Sequence, residues 1–106
     1  MAKYLLKASY TTDGVKGVMK DGGSGRRAAV EETVRGLGGS LESFYFAFGD
    51  TDAYVVVDLP DNATAAAISL VVNAAGGAQV TTVPLMTPEE ADEATKKSVE
   101  YRPPGG

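Results

Sequence analysis

Ser40–Leu59, SLESFYFAFGDTDAYVVVDL, is the stretch on which the fold turns. Two runs of aromatic and β-branched residues meet at Gly49-Asp50-Thr51-Asp52, residues that accept tight-turn geometry, so the segment predicts a β-hairpin. Strict alternation puts Phe44, Phe46 and Phe48 on one face of the first run and Ser43, Tyr45 and Ala47 on the other. The second run sets Ala53, Val55, Val57 and Leu59 against Tyr54, Val56 and Asp58. Both faces are substantially apolar. A two-layer domain needs only one sheet face for its own helices, so the second points to cover from another subunit.

Upstream, Lys3–Tyr10 alternates with Tyr4, Leu6, Ala8 and Tyr10 on one side and Leu5, Lys7 and Ser9 on the other, as a first strand does. Val15, Val18 and Met19 recur at helical spacing after a cap at Thr12 or Asp13, which predicts a helical turn or two over Thr11–Lys20. Asp21-Gly22-Gly23-Ser24-Gly25 reads as a break. Arg26–Leu37 then carries Val30, Val34 and Leu37 on one stripe against Glu31, Glu32 and Arg35, an amphipathic helix ended by Gly38-Gly39. Downstream, Asp61 or Asn62 caps an alanine-rich helix to Ala75, Ala78–Leu85 reads as a fourth strand, and Thr87-Pro88-Glu89-Glu90 is a helix-start signature. The order strand, helix, strand, strand, helix, strand predicts an α+β, ferredoxin-like split βαβ with a four-stranded antiparallel sheet and both main helices on one face. Residues 1–100 are expected to form a single domain and 101–106 an extended tail.

Composition bounds the function. With 43% hydrophobic and 23% charged residues over 106 positions the chain is of globular type, and ten basic against fourteen acidic residues give a net charge of -4. That sign opposes general nucleic-acid binding, and no apolar run reaches membrane-spanning length. A soluble, cytoplasmic protein with neither a nucleic-acid nor a membrane partner is the expectation. The chain has no Cys and no His, which removes disulfides, thiolate nucleophiles, imidazole bases and the usual zinc, iron or copper ligands.

The blocks KYLLKASYT, GGSGRRAAVEETVRGLGGSLESFYFAFGDTDAYVVVDLPDN and LMTPEEADEATKKSVEYRPP together resemble the GYD-domain family, small bacterial proteins named for a Gly-Tyr-Asp motif. Gly49-Asp50-Thr51-Asp52 stands at the turn of that motif, with Thr51 where the family has tyrosine. The resemblance implies a ferredoxin-like fold of the dimeric α+β barrel type and carries no established activity.

Candidate sites each have a plainer reading. Gly22–Arg27 precedes a helix and could hold a phosphate or carboxylate through backbone N–H groups and a guanidinium; it matches neither a P-loop nor a dinucleotide fingerprint, and reads more simply as a linker with solvated arginines. Of its two arginines, Arg27 shares helical spacing with Val30, Val34 and Leu37 and is the expected anion ligand. Asp50 and Asp52 offer paired carboxylates, but Asp is also a turn residue that hydrogen-bonds nearby backbone, and two carboxylates make no metal cage. Tyr4, Tyr10, Tyr45 and Tyr54 with Lys7 and Asp58 could line a pocket, or serve as core and interface residues. Asn73 is either a buried hydrogen-bonding residue of its helix or part of that pocket.

No catalytic constellation and no cofactor or metal site emerges. The leading expectation is a homo-oligomeric small-ligand-binding or sensory domain without catalysis, taking a small anionic or aromatic ligand between sheet and helices. The rivals are a cofactor-independent isomerase or oxygenase of the dimeric α+β barrel type, and a purely structural assembly module.

Overall fold

The structure, a computed structural model, describes all residues from Met1 to Gly106. Its elements run β1 (Ala2–Tyr10), α1 (Thr12–Gly36), β2 (Ser40–Phe46), β3 (Ala53–Leu59), α2 (Asn62–Ala75), β4 (Ala78–Leu85) and α3 (Pro88–Thr95). The four strands form one antiparallel sheet in the order β2-β3-β1-β4. This is the expected ferredoxin-like arrangement: β1 and β3 lie at the centre, and each crossover carries a helix to one face of the sheet.

Alternation sets the two faces. Tyr4 and Leu6 of β1 and Val55, Val57 and Leu59 of β3 pack with Val34 of α1 and with Ala65 and Ile68 of α2 as the buried core. The opposite face carries Leu5, Val56, Val83 and Leu85 in register across three strands, with no helix over them. Lys3 lies on this open face and hydrogen-bonds Asp58 at 3.1 Å and Glu42 at 3.3 Å. The bond to Asp58 holds its ammonium above the ordinary lysine range; desolvation opposes that rise and the bond to Glu42 adds to it.

Two expectations are corrected. The break at Asp21–Gly25 is a kink inside a 25-residue helix: only Gly22, at φ 76° and ψ 166°, leaves helical geometry. Glycine tolerates that positive φ because it has no Cβ, so the chain bends sharply and resumes its helix. Second, Phe48 does not share a strand face with Phe44 and Phe46. The rings of Phe44 and Phe46 meet with centroids 5.1 Å apart, but β2 ends at Phe46 and Phe48 is fully exposed in the connecting loop. A register shift between Leu41 and Ser43 adds Glu42 to β2 as an extra residue, which also breaks the even alternation assumed for that strand.

Close backbone approaches lock α1 onto the sheet. At its start, Thr11 donates from its backbone N–H to the Gly77 carbonyl and from its hydroxyl to the Gly76 carbonyl, and Gly14 packs directly on the Gly77 carbonyl. At its end Gly39 lies against the Asp58 carbonyl and the side chains of Leu59 and Val34. α2 begins at Asp61, whose carboxylate accepts from the Thr64 N–H and hydroxyl, both at 2.8 Å. Those two bonds, the backbone one first, hold the Asp61 carboxyl below its ordinary range. Tyr4, buried on the helix side, donates its hydroxyl to Asn62 in the first turn of α2.

α3 has the capping box that its sequence announces, with Thr87 and Glu90 exchanging side-chain-to-backbone bonds of 3.1 Å. It has no buried residue and scarcely touches the rest of the molecule. The radius of gyration, 16.7 Å, exceeds the roughly 13 Å of a compact chain of this length, and the long dimension is 55 Å.

The glycine contacts predict opposite signs for one substitution. A Cβ on Gly14 would stand 1.8 Å from the Gly77 carbonyl oxygen and one on Gly39 2.3 Å from that of Asp58, so Gly14→Ala and Gly39→Ala should each lower stability by about 1–3 kcal/mol. Gly17, also helical, has open space around it, and Gly17→Ala should raise stability by about 0.4–1 kcal/mol. Urea titrations check all three.

A pH prediction follows from Asp61. Its folded pKa is depressed, so its stabilising contribution is present above the unfolded carboxylate value and is lost as pH falls through the folded one. Asp61→Asn keeps an accepting oxygen at the cap, and should therefore flatten the fall in thermal midpoint between about pH 5 and about pH 2. Lys3 has the opposite sign: its contribution is lost only as pH rises through its raised pKa, so Asp61→Asn should leave the alkaline limb unchanged.

Candidate functional site

The helices do not cover the sheet evenly. α1 packs chiefly over β2 and α2 over β4, with little contact between the two helices. The central strands are consequently roofed from the sides, and the floor there is small: Ala8 of β1 lies directly opposite Ala53 of β3. Two facing alanines remove the bulk that leucine or valine would place under the gap. The result is an apolar cavity of about 180 Å³, walled by Val30 and Ala29 of α1, Ile68 and Val72 of α2, and Phe44 of β2.

Two polar residues that line this cavity have functional groups that are otherwise unengaged. Arg26 of α1 is half-buried and has no carboxylate within ion-pair distance, whereas Arg35 meets Glu31 at 3.6 Å. Tyr10, at the end of β1, uses its backbone N–H on Asp52 while its phenol makes no hydrogen bond. Thr33 also lines the cavity, but its hydroxyl donates to the Ala29 carbonyl in its own helix. No carboxylate lines the chamber. Outside it, a second hollow of about 340 Å³ runs between the first half of α1 and the end of α2; it shares Tyr10, Arg26, Thr33, Val72 and Ala78 with the inner cavity and adds Asp21. Arg26 and Tyr10 therefore line both a largely apolar chamber and the open groove beside it.

The candidates singled out in the sequence fall in different places. Arg27 is exposed and lines neither hollow; its neighbour Arg26 does. Helical spacing put Arg27 on the side of the buried stripe, but of the two arginines it is Arg26 that is half-buried. Helical residues on both sides of Gly22 also leave no loop to wrap a phosphate. The tyrosines divide by strand alternation: Tyr4 and Tyr10 lie on the helix side, while Tyr45 and Tyr54 pair in register on the open face. Lys7 is opposite Tyr54 on that same face, so Tyr45, Tyr54 and Lys7 make a row across three strands, away from the cavity. Tyr45 is 70% exposed and Tyr54 39%.

Asp52 is a structural residue of the hairpin connection. Its carboxylate accepts from the Tyr10 N–H at 2.8 Å, its own N–H donates to Ala8 at 2.8 Å, and its carbonyl accepts from Ala47. Through these bonds it fixes the end of β1, and with it the position of Tyr10. Asn73 is neither buried nor in the cavity: its amide oxygen accepts from the Val80 N–H at 2.8 Å and its NH₂ reaches the Val80 carbonyl at 3.4 Å. It thus satisfies peptide groups on the outer edge of β4, a sheet edge that would otherwise stay open.

The sequence signal that would have found the cavity is the pair Ala8 and Ala53. Each sits at a position of its strand whose other members are Tyr4 and Leu6, or Val55 and Val57. Small residues meeting on the two central strands mark a place where the core is left unfilled.

Neither curated proteins nor solved structures provide a match to this chain. The profile of the GYD domain does match, over residues 4–95, which takes in the sheet, the kinked α1, α2 and α3. Because that match spans most of its length, the chain belongs to the GYD-domain family.

Proposed function

We propose that this protein is a homo-oligomeric small-ligand-binding or sensory domain without catalysis, and that its ligand occupies the cavity between the sheet and the two straddling helices. The observation that carries this reading is an apolar chamber floored by Ala8 and Ala53, with one uncompensated guanidinium at its mouth. Ligand sites commonly have this make-up, apolar walls with a few polar groups that orient the ligand. Binding is favoured over turnover by the absence of carboxylate and imidazole from the inner walls, which leaves no side chain suited to general-base work at neutral pH.

The oligomer reading rests on the open sheet face. Four strands about 4.8 Å apart and seven residues of about 3.3 Å each give that face a flat footprint of roughly 440 Å². A standard interface buries about 800 Å² on each partner. A second copy laid on the sheet would therefore draw on further surface, and the projecting segment from Met86 onward supplies apolar side chains in Met86, Val99 and Tyr101, all exposed.

Two measurements test these statements. A thermal-shift screen of small apolar and aromatic compounds should find binders, a ligand at about 100 times its Kd adding about 2.7 kcal/mol. Ala29→Phe, which fills the cavity from α1, should abolish that gain, whereas binding that survives it would place the ligand elsewhere. Sedimentation should give a dimer or larger species that Leu5→Lys, in the middle of the open face, converts to monomer; a wild-type monomer at micromolar concentration would overturn the oligomer.

A further inference from the structure

Resting on the cavity reading, we infer that the ligand is a small apolar monocarboxylate, a single ring or a short chain, with its carboxylate on Arg26 and the Tyr10 hydroxyl and its body above Ala8 and Ala53. Three observations limit the choice. The first is size. A cavity of about 150 Å³ lined by aliphatic and aromatic side chains holds one benzene, so the chamber of about 180 Å³ takes one ring or a chain of similar volume. Larger ligands would have to extend into the outer groove.

The second is charge. Arg26 lines the chamber, is half-buried as a residue and has no acidic partner. A planar carboxylate can meet its guanidinium fork in two parallel charge-assisted bonds, which a neutral group cannot. Tyr10 lines the same two hollows, and its phenol, free of any intramolecular bond, offers a donor.

The third is the limit to one charge. No lysine, second arginine or free backbone loop accompanies Arg26 there, and Asp21 lines the outer groove on which it opens. A second negative group placed outward would meet the Asp21 carboxylate in the partly screened groove, which disfavours phosphate and dicarboxylates.

The test is calorimetric titration of the full chain with benzoate, hexanoate, benzyl alcohol, phthalate and inorganic phosphate, using wild type, Arg26→Gln and Arg27→Gln. Benzoate or hexanoate should bind at least about tenfold more tightly than benzyl alcohol, and phthalate and phosphate should bind weakly or not at all. Arg26→Gln should bring the acids down to the level of benzyl alcohol while leaving benzyl alcohol unchanged, which also shows that the variant retains its cavity. Arg27→Gln should change nothing. Equal affinity for benzoate and benzyl alcohol in wild type, equal losses in the two arginine variants, or preferred binding of phosphate would overturn the monocarboxylate while the cavity reading stands. Failure of every acid and of benzyl alcohol alike would overturn both.

Discussion

The two crossovers constrain everything above the sheet. Because β1 lies between β3 and β4, the helix linking β1 to β2 and the helix linking β3 to β4 must both return over the same face. They land toward opposite edges, α1 toward β2 and α2 toward β4. What fills the middle is then left to side chains from the central strands. At the Leu59 end of β3 that filling is dense, with Tyr4, Val57 and Leu59 fully packed against Val34. At the Ala53 end it is not, since Ala8 and Ala53 bring one methyl group each. The cavity is a product of topology and two small residues, and needs no unusual backbone beneath it.

The rest of the molecule holds that opening in place. Gly22 bends α1 where Asp21 and Arg26 flank the gap, and the contact between Gly14 and the Gly77 peptide ties the first half of the helix to the turn between α2 and β4. Asp52 pins the end of β1 from the opposite side. The side chain that lines both hollows from β1, Tyr10, is thereby fixed by a residue of the hairpin connection. Polar groups elsewhere are mostly spent on structure: Lys3 on Asp58 and Glu42, Asp61 on α2, and Asn73 on the edge of β4. Arg26, half-buried beside the cavity, has no such bond.

Much of the fold was legible in the sequence because it is local. Alternation in Lys3–Tyr10 and in Ala53–Leu59, the Asp61 and Thr87 caps, and the β-branched run ending at Leu85 each name their element within a residue or so. The kink was not legible: five residues containing three glycines look like a loop, and only packing decides that one of them bends while the others stay helical. Phe48 misled for a similar reason, since alternation does not say where pairing stops. The site was harder still. Which of two adjacent arginines turns inward depends on how α1 lies across β2 and β1: Arg26, at i−4 from Val30, shares the buried stripe as well as Arg27 at i−3 does, so spacing alone does not choose between them. Tyr45, Tyr54 and Lys7 lie together on the open face, and alternation shows why they share no pocket with Tyr4 and Tyr10.

The central claim is that an apolar, unfilled space lies above Ala8 and Ala53, and xenon reports on such a space without any assumption about the natural ligand. A crystal of the protein pressurised with xenon should show the atom between those two alanines and the side chains of Val30 and Ile68. A crystal in which Val30, Phe44 or Val72 closes the gap, with no xenon in it, would contradict the account.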